Sequence, residues 1–152
     1  MSDLSDLYQE VILDHSKNPR NKRAMENATR KAEGYNPLCG DRFTVYLRVE
    51  DGIVRDISFE GSGCAISTAS ASLMTEDLKG KPVEMAHDVF DRFHKLLTGD
   101  NSVNETAPEV GMGKLAVFGG VRRFPVRVKC ATLPWHTMET AMQGEEERVS
   151  TE

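Results

Sequence analysis

The chain contains 152 residues, of which 39% are hydrophobic and 28% charged, a length and composition typical of one folded domain. Its formal net charge of −5 argues against general nucleic-acid binding, which usually needs a basic surface. No apolar run reaches the roughly 20 residues that a membrane helix needs, and the first six residues are acidic where a signal peptide would be basic. We therefore expect a cytoplasmic protein that binds neither nucleic acid nor membranes.

The first half of the chain predicts a helix, a loop and a β-hairpin. Apolar residues at spacings of three and four predict a helix over 4–15, which Pro19 would end. Residues 16–36 are polar and basic without a period, so we expect a mobile loop. Strict alternation then predicts two strands within 43–60, joined by a turn at Asp51-Gly52.

The second half predicts helices. A break at 61–63 (GSG) leads into a helix at about 67–78, and an apolar stripe predicts another over 83–97. Next come a polar surface insertion (98–112), a short helix broken at Gly119-Gly120 (113–121), a final helix (125–142) and an acidic tail (145–152). The expected architecture is one α+β domain (1–144), with a small antiparallel sheet of three strands packed against about five helices.

The three cysteines of the chain, Cys39, Cys64 and Cys130, are the residues most informative about function. An odd number in a reducing compartment argues against a disulfide framework and leaves thiols that are free or that bind a metal. Their spacing excludes a CxxC redox pair and a zinc ribbon. The predicted hairpin nevertheless brings Cys39 and Cys64 together, because they flank its two open ends.

Asp41 follows Cys39 by two residues, so in an extended chain both side chains point to the same face. Three thiolates and one carboxylate would complete a tetrahedral shell, which suits zinc or the iron of a sulfide cluster. The carboxylate is the weaker ligand, so such a site would be exchangeable.

Simpler interpretations stand beside this one. A single free cysteine is more often a small core residue than a metal ligand. The GSG segment at 61–63 is compatible with an ordinary loop. We expect the four histidines to be structural, with His136 the best placed of them for metal contact. The basic residues Arg122, Arg123, Arg127 and Lys129 are compatible with a solvated face.

Several segments resemble the NifU N-terminal/IscU-like family of iron–sulfur cluster assembly proteins. Three of them carry the cysteines: 36–41 (NPLCGD), 61–67 (GSGCAIS) and 124–131 (FPVRVKCA). An N-terminal signature completes the match, with LY at 7–8, DH at 14–15 and NPRN at 18–21. The resemblance covers nearly the whole chain and implies an IscU/SufE-like fold.

Two features resemble the SufU-type branch of that family. Lys129 stands where the scaffold branch has a histidine before its third cysteine, and the 98–112 insertion is absent from that branch. The scaffold branch's chaperone-recognition motif (LPPVK) is also missing. The resemblance implies a zinc-dependent sulfurtransferase that accepts persulfide sulfur from a SufS-type cysteine desulfurase and serves downstream iron–sulfur assembly proteins. It further implies that Cys39, Asp41, Cys64 and Cys130 bind zinc, with Cys39 as the catalytic, persulfide-accepting thiol.

Two other functions remain open at this point. The same four residues could hold a transient iron–sulfur cluster, which would make the protein an assembly scaffold. Alternatively, a structural zinc site could shape a domain that binds another protein, although closed structural sites usually have four Cys or His ligands.

Overall fold

The computed structural model describes residues 3–37, 40–98, 113–143 and 148–150. These residues form four α-helices, a 3₁₀ helix and four strands. In chain order they are α1 (Asp3–Lys17), β1 (Arg30–Asn36), β2 (Asp41–Glu50), β3 (Ile53–Ser62), α2 (Ala65–Leu78), α3 (Val83–Thr98), the 3₁₀ helix (Gly113–Arg123), α4 (Pro125–Met142) and β4 (Arg148–Ser150). The predicted α+β class is confirmed, and the count of about five helices holds only if the 3₁₀ helix is included. The insertion predicted at 98–112 lies, apart from Thr98, outside the described residues.

The strands form one sheet in the order β3-β2-β1-β4. The strands β1, β2 and β3 are antiparallel neighbours, as the predicted three-stranded sheet requires. The hairpin is confirmed, and its turn residues Asp51 and Gly52 have φ values of 54° and 75°. Two consecutive positive φ angles are the signature of a type I′ turn, which matches the twist of the strands that it joins.

The prediction of a loop over 16–36 was wrong for its last seven residues, which form β1. The positions of β1 that face inward are Ala32, Gly34 and Asn36. Helix α4 packs so closely on this strand that a Cβ atom at Gly34 would lie 2.0 Å from Thr137 Oγ1. Because the buried face is small and partly polar, β1 shows no alternation of large apolar residues.

The acidic tail predicted over 145–152 also contains a structured segment. Residues Arg148–Ser150 form β4 and pair in parallel with β1, with Val149 opposite Gly34. Backbone hydrogen bonds at a sheet edge need no hydrophobic pattern, so composition did not reveal this strand.

The core lies between the inner face of the sheet and the helices. Trp135 of α4 is its largest fully buried side chain and stacks on Phe93 of α3, with ring centroids 4.8 Å apart. On the sheet side, Phe43 and Phe59 meet edge to face. No helix in the described part of the chain is long and apolar enough to cross a membrane.

Helix α2 is the central helix, and ten of its 14 residues are buried. Its buried hydroxyl groups find partners on neighbouring elements. Ser70 donates to the Ala131 carbonyl and accepts from Trp135 Nε1, both on α4. On the α1 side, Ser72 contacts His15 Nδ1 at 2.7 Å. The small residues of α2 therefore allow it to pack closely between two helices.

Candidate metal centre

Three side chains predicted as metal ligands converge in the structure. The ligand atoms of Asp41, Cys64 and Cys130 all lie within 4.8 Å of one another, and no other such group of three occurs among the described residues. Asp41 and Cys130 are buried, whereas Cys64 is half-buried. The fourth predicted ligand, Cys39, lies outside the described residues.

The hairpin places Asp41 beside Cys64. Strand β2 begins at Asp41, and the register pairs its neighbour Arg42 with Ser62, two residues before Cys64. The backbone N–H of Cys64 donates to Asp41 Oδ1 at 2.8 Å, which fixes the carboxylate. The other carboxylate oxygen, Oδ2, then lies 3.8 Å from Cys64 Sγ.

Cys64 is the N-cap residue of α2, a position usually held by Ser, Thr, Asp or Asn. Its sulfur accepts the backbone N–H of Ser67 at 3.5 Å. The first turn of a helix carries unpaired N–H groups and a partial positive charge, both of which favour an anionic cap. The same helix end therefore fixes the position of the Cys64 sulfur.

Helix α4 supplies Cys130 from its second turn. Pro125 stands in the first turn of α4, where proline costs no hydrogen bond. Cys130 is fully buried, and its sulfur lies 4.0 Å from the side-chain amide nitrogen of Asn36, the last residue of β1. Asn36 also pairs with Asp41 across the sheet. Cys130 therefore reaches the start of β2 through the same end of the sheet.

Two glycines allow the segment before α2 to approach the sheet. Gly61 has a φ of +124°, and a Cβ atom there would lie 2.1 Å from the Arg42 carbonyl oxygen. At Gly63, a Cβ atom would lie 2.7 Å from Asp41 Oδ1 and 2.5 Å from Ser67 Oγ. The GSG segment is therefore a requirement of the site rather than an ordinary loop.

None of the four histidines belongs to the cluster. The His136 ring packs against Phe90 and His94, with centroids 5.1 Å and 5.8 Å away. Burial lowers the pKa of His136, and the neighbouring His94 lowers it further. His87 and His15 contact Glu139 and Ser72. Arg127 is exposed and Lys129 is half-buried, while the side chains of Arg122 and Arg123 lie outside the described residues.

Sequence reasoning missed three residues that shape this centre: Asn36, Gly63 and Ser67. All three lie within the cysteine motifs, at most three residues from a cysteine. Their positions were therefore visible, but their roles depend on contacts across the fold.

The donor set and its spacing fit a tetrahedral zinc ion. With Zn–S of about 2.3 Å and Zn–O of about 2.0–2.2 Å, neighbouring ligand atoms lie about 3.6–3.8 Å apart. The separation of Cys64 Sγ and Asp41 Oδ2 is 3.8 Å. Two sulfurs and one carboxylate oxygen account for three of the four tetrahedral positions.

A protein-family model matches most of the sequence. The model described as the NifU-like N terminal domain matches residues 7–131, more than four-fifths of the chain. The chain belongs to this family.

Two relatives of this chain have different names, one that of a sulfurtransferase and the other that of an assembly scaffold. The zinc-dependent sulfurtransferase SufU of Bacillus subtilis is 41% identical over 145 residues, which cover 95% of each chain. The iron–sulfur cluster assembly scaffold protein IscU of Thermotoga maritima is 38% identical over 137 residues, covering 90% of this chain and 93% of the relative. The crystal structure of FiSufU from Fervidobacterium islandicum AW-1 superposes with a TM-score of 0.80 at 36% identity and covers 88% of this chain and 94% of that one.

Proposed function

We propose that this protein is a zinc-dependent sulfurtransferase of iron–sulfur cluster assembly, which accepts sulfur from the persulfide of a SufS-type cysteine desulfurase. The convergence of Asp41, Cys64 and Cys130 within 4.8 Å is the observation that carries this function. The similarity to the B. subtilis sulfurtransferase over 95% of both chains supports it.

Asp41, Cys64 and Cys130 would hold the zinc ion together with Cys39. Cys39 precedes Asp41 by two residues, so covalent geometry keeps their Cα atoms within about 7.6 Å. The described residues on either side are joined, because the Gly40 N–H donates to the Asn36 carbonyl at 2.8 Å. A bound zinc ion would supply one effect, the stabilisation of deprotonated thiolates near neutral pH.

Cys39 is the thiol that we expect to react. Its thiolate attacks the terminal sulfur of the desulfurase persulfide, and a new S–S bond forms on Cys39. The S–S bond within the desulfurase breaks, and the desulfurase cysteine leaves as a thiolate. The transferred sulfur keeps its proton, and the exchange involves no net oxidation or reduction. The hydrogen bonds accepted by Asp41 Oδ1 and Cys64 Sγ come from Cys64 and Ser67, so they would hold these two side chains in place whether or not Cys39 is bound to the metal.

A single-turnover experiment tests the role of Cys39. Desulfurase carrying its persulfide is mixed with the wild-type protein or with Cys39→Ser, and persulfide on the acceptor is located by alkylation and mass spectrometry. We expect wild type to acquire sulfur on Cys39 and the variant to acquire none. Ser58→Ala is the control, because it alters a buried serine but keeps all three thiols and Asp41, so it should acquire sulfur on Cys39 as wild type does. If Cys39→Ser accumulates persulfide as fast as wild type, the assignment is wrong.

A transient iron–sulfur scaffold is the second candidate, because the T. maritima relative named as a scaffold is 38% identical over most of both chains. The same thiols and carboxylate would then hold iron, and the carboxylate would keep the cluster labile. Chemical reconstitution distinguishes the two functions. A scaffold becomes brown and passes its cluster to an acceptor protein, whereas a zinc sulfurtransferase stays colourless and accelerates desulfurase turnover.

A further inference from the structure

Each of the two described thiols of the metal centre faces a buried hydrogen-bond donor. Ser67 presents its backbone N–H to Cys64 Sγ at 3.5 Å and its hydroxyl oxygen at 3.6 Å. Asn36 presents its side-chain amide to Cys130 Sγ at 4.0 Å. Both donors have 0% exposed surface. Since water cannot replace them, their hydrogen bonds with the sulfurs depend on the fold alone.

Asn36 also connects two parts of the centre. Its carbonyl accepts the Gly40 N–H at 2.8 Å and so closes the turn that leads from β1 into β2. Its side chain extends from the same residue to Cys130 on α4. The buried Asn36 therefore contacts both Gly40, just before β2, and Cys130, the candidate ligand on α4.

Ser67 has a choice of acceptors. Its hydroxyl lies 3.1 Å from the Cys64 carbonyl oxygen and 3.6 Å from Cys64 Sγ. The hydroxyl donates to the carbonyl oxygen, and the sulfur lies within reach of the same hydroxyl. Rotation about the Ser67 side chain can therefore direct the O–H group to either acceptor.

We propose that Asn36 and Ser67 are positioning residues that donate hydrogen bonds to the thiolates of Cys130 and Cys64 and thereby retain these two ligands on the metal. This role rests on the metal binding proposed above. A donor beside a thiolate lowers the energy of the sulfur lone pairs and restricts the rotation of the side chain. Loss of such outer contacts typically costs about 10–100-fold in metal affinity.

Cobalt substitution measures these contacts without any sulfur-transfer assay. The full-length protein is loaded with Co²⁺, and the sulfur-to-cobalt charge-transfer band is recorded for wild type, Asn36→Ala and Ser67→Ala. Removal of a donor raises the energy of the sulfur lone pair, so we expect the band to move to lower energy in both variants. The shift should be smaller in Ser67→Ala, which removes the hydroxyl beside Cys64 Sγ but keeps the backbone N–H. Release of zinc to a chelator should be about tenfold faster in each.

A buried serine and a half-buried asparagine away from the centre provide controls. Ser58→Ala also removes a buried serine hydroxyl, and Asn21→Ala removes an amide that donates to Thr75 Oγ1. Both controls should keep the wild-type cobalt band. If Asn36→Ala does not fold, the isosteric Asn36→Asp removes the same donor and should shift the band in the same direction.

A charge-transfer band that stays at the wild-type energy in the Asn36 and Ser67 variants overturns this role, whatever their rates of zinc release. Failure of the proposed function has a different signature. In that case wild-type protein would not acquire sulfur from the desulfurase, while the cobalt bands of the two variants would still shift.

Discussion

Gly63 shows how strongly single residues constrain the metal centre. A Cβ atom at this position would lie 2.7 Å from Asp41 Oδ1, 2.5 Å from Ser67 Oγ and 2.9 Å from Phe43 Cζ. Its φ angle is not in the positive range, so alanine is excluded by the neighbours and not by the backbone. An added Cβ atom at Gly63 needs its neighbours to move, and movement of the Asp41 carboxylate would take it out of the cluster.

We therefore expect Gly63→Ala to fold but to release zinc about 10–100-fold faster than wild type, because it displaces one ligand. Chelator competition with a colorimetric zinc indicator measures the rate. Gly120→Ala is the control, because its added Cβ atom would meet nothing within 4 Å. Equal zinc release in Gly63→Ala and wild type would show that Asp41 does not depend on the space left by Gly63.

At the same scale, sequence reasoning named the candidate ligands but not the residues that support them. Cysteines and a nearby carboxylate have recognisable chemistry, hairpin geometry predicted that Cys39 and Cys64 lie close together, and the i, i+2 spacing added Asp41 to the face of Cys39. Of these residues the structure describes Asp41 and Cys64, which lie side by side. The donor roles of Asn36 and Ser67 depend on which atoms face each thiol across the fold. Asn36 and Cys130 are 94 positions apart in the sequence, so no local pattern connects them.

Buried hydrogen bonds join helices α2 and α4, and their contribution to stability can be measured. Ser70 accepts from Trp135 Nε1 at 3.1 Å and donates to the Ala131 carbonyl. Ser70→Ala would leave the indole N–H without its acceptor in the core. We expect a loss of about 1–3 kcal/mol in the free energy of unfolding, measured by urea denaturation and followed by fluorescence of the single tryptophan.

Ser58→Ala is the matched control for Ser70→Ala. Ser58 is also fully buried, but its Oγ has no hydrogen-bond partner within the described ranges. Removal of an unpaired hydroxyl group should change the free energy of unfolding little, or increase it. Equal losses in the two variants would mean that the volume of the side chain matters here, and not the hydrogen bond with Trp135.

At the scale of elements, apolar periodicity predicted the hairpin, α1 and α3, and breaks at glycine and proline residues helped to delimit α2 and α4, all to within a few residues. The strand β1 was not predicted because its inward face consists of Ala32, Gly34 and Asn36. Contacts account for two of these residues. Gly34 allows α4 to pack on the sheet, and Asn36 reaches the metal centre. Because tertiary packing requires small or polar residues on this face, β1 lacks the alternation of large apolar residues that would have predicted a strand.

For the whole molecule, the topology explains why ligands far apart in sequence meet. The hairpin folds Asp41 and Cys64 to one end of the sheet, while α4 crosses the sheet and brings Cys130 to the same place. Large apolar side chains such as Trp135, Phe93 and Phe118 form a hydrophobic cluster. Among the described candidate ligands, Asp41, Cys64 and Cys130 are not part of this cluster, although Cys130 is fully buried beside it. Metal binding should therefore stabilise a fold that already exists.

Metal removal tests this relation. At free zinc 100-fold above the dissociation constant, binding to the native state alone adds about 2.7 kcal/mol. For a domain of this size, 1 kcal/mol corresponds to about 2–4 °C in Tm, so chelation should lower Tm by about 5–10 °C. We expect the metal-free protein to keep a cooperative thermal transition by circular dichroism, and Asp41→Ala to show a smaller zinc-dependent shift at the same free zinc. Loss of the transition on chelation would instead identify a structural zinc domain, because such domains are unfolded without their metal.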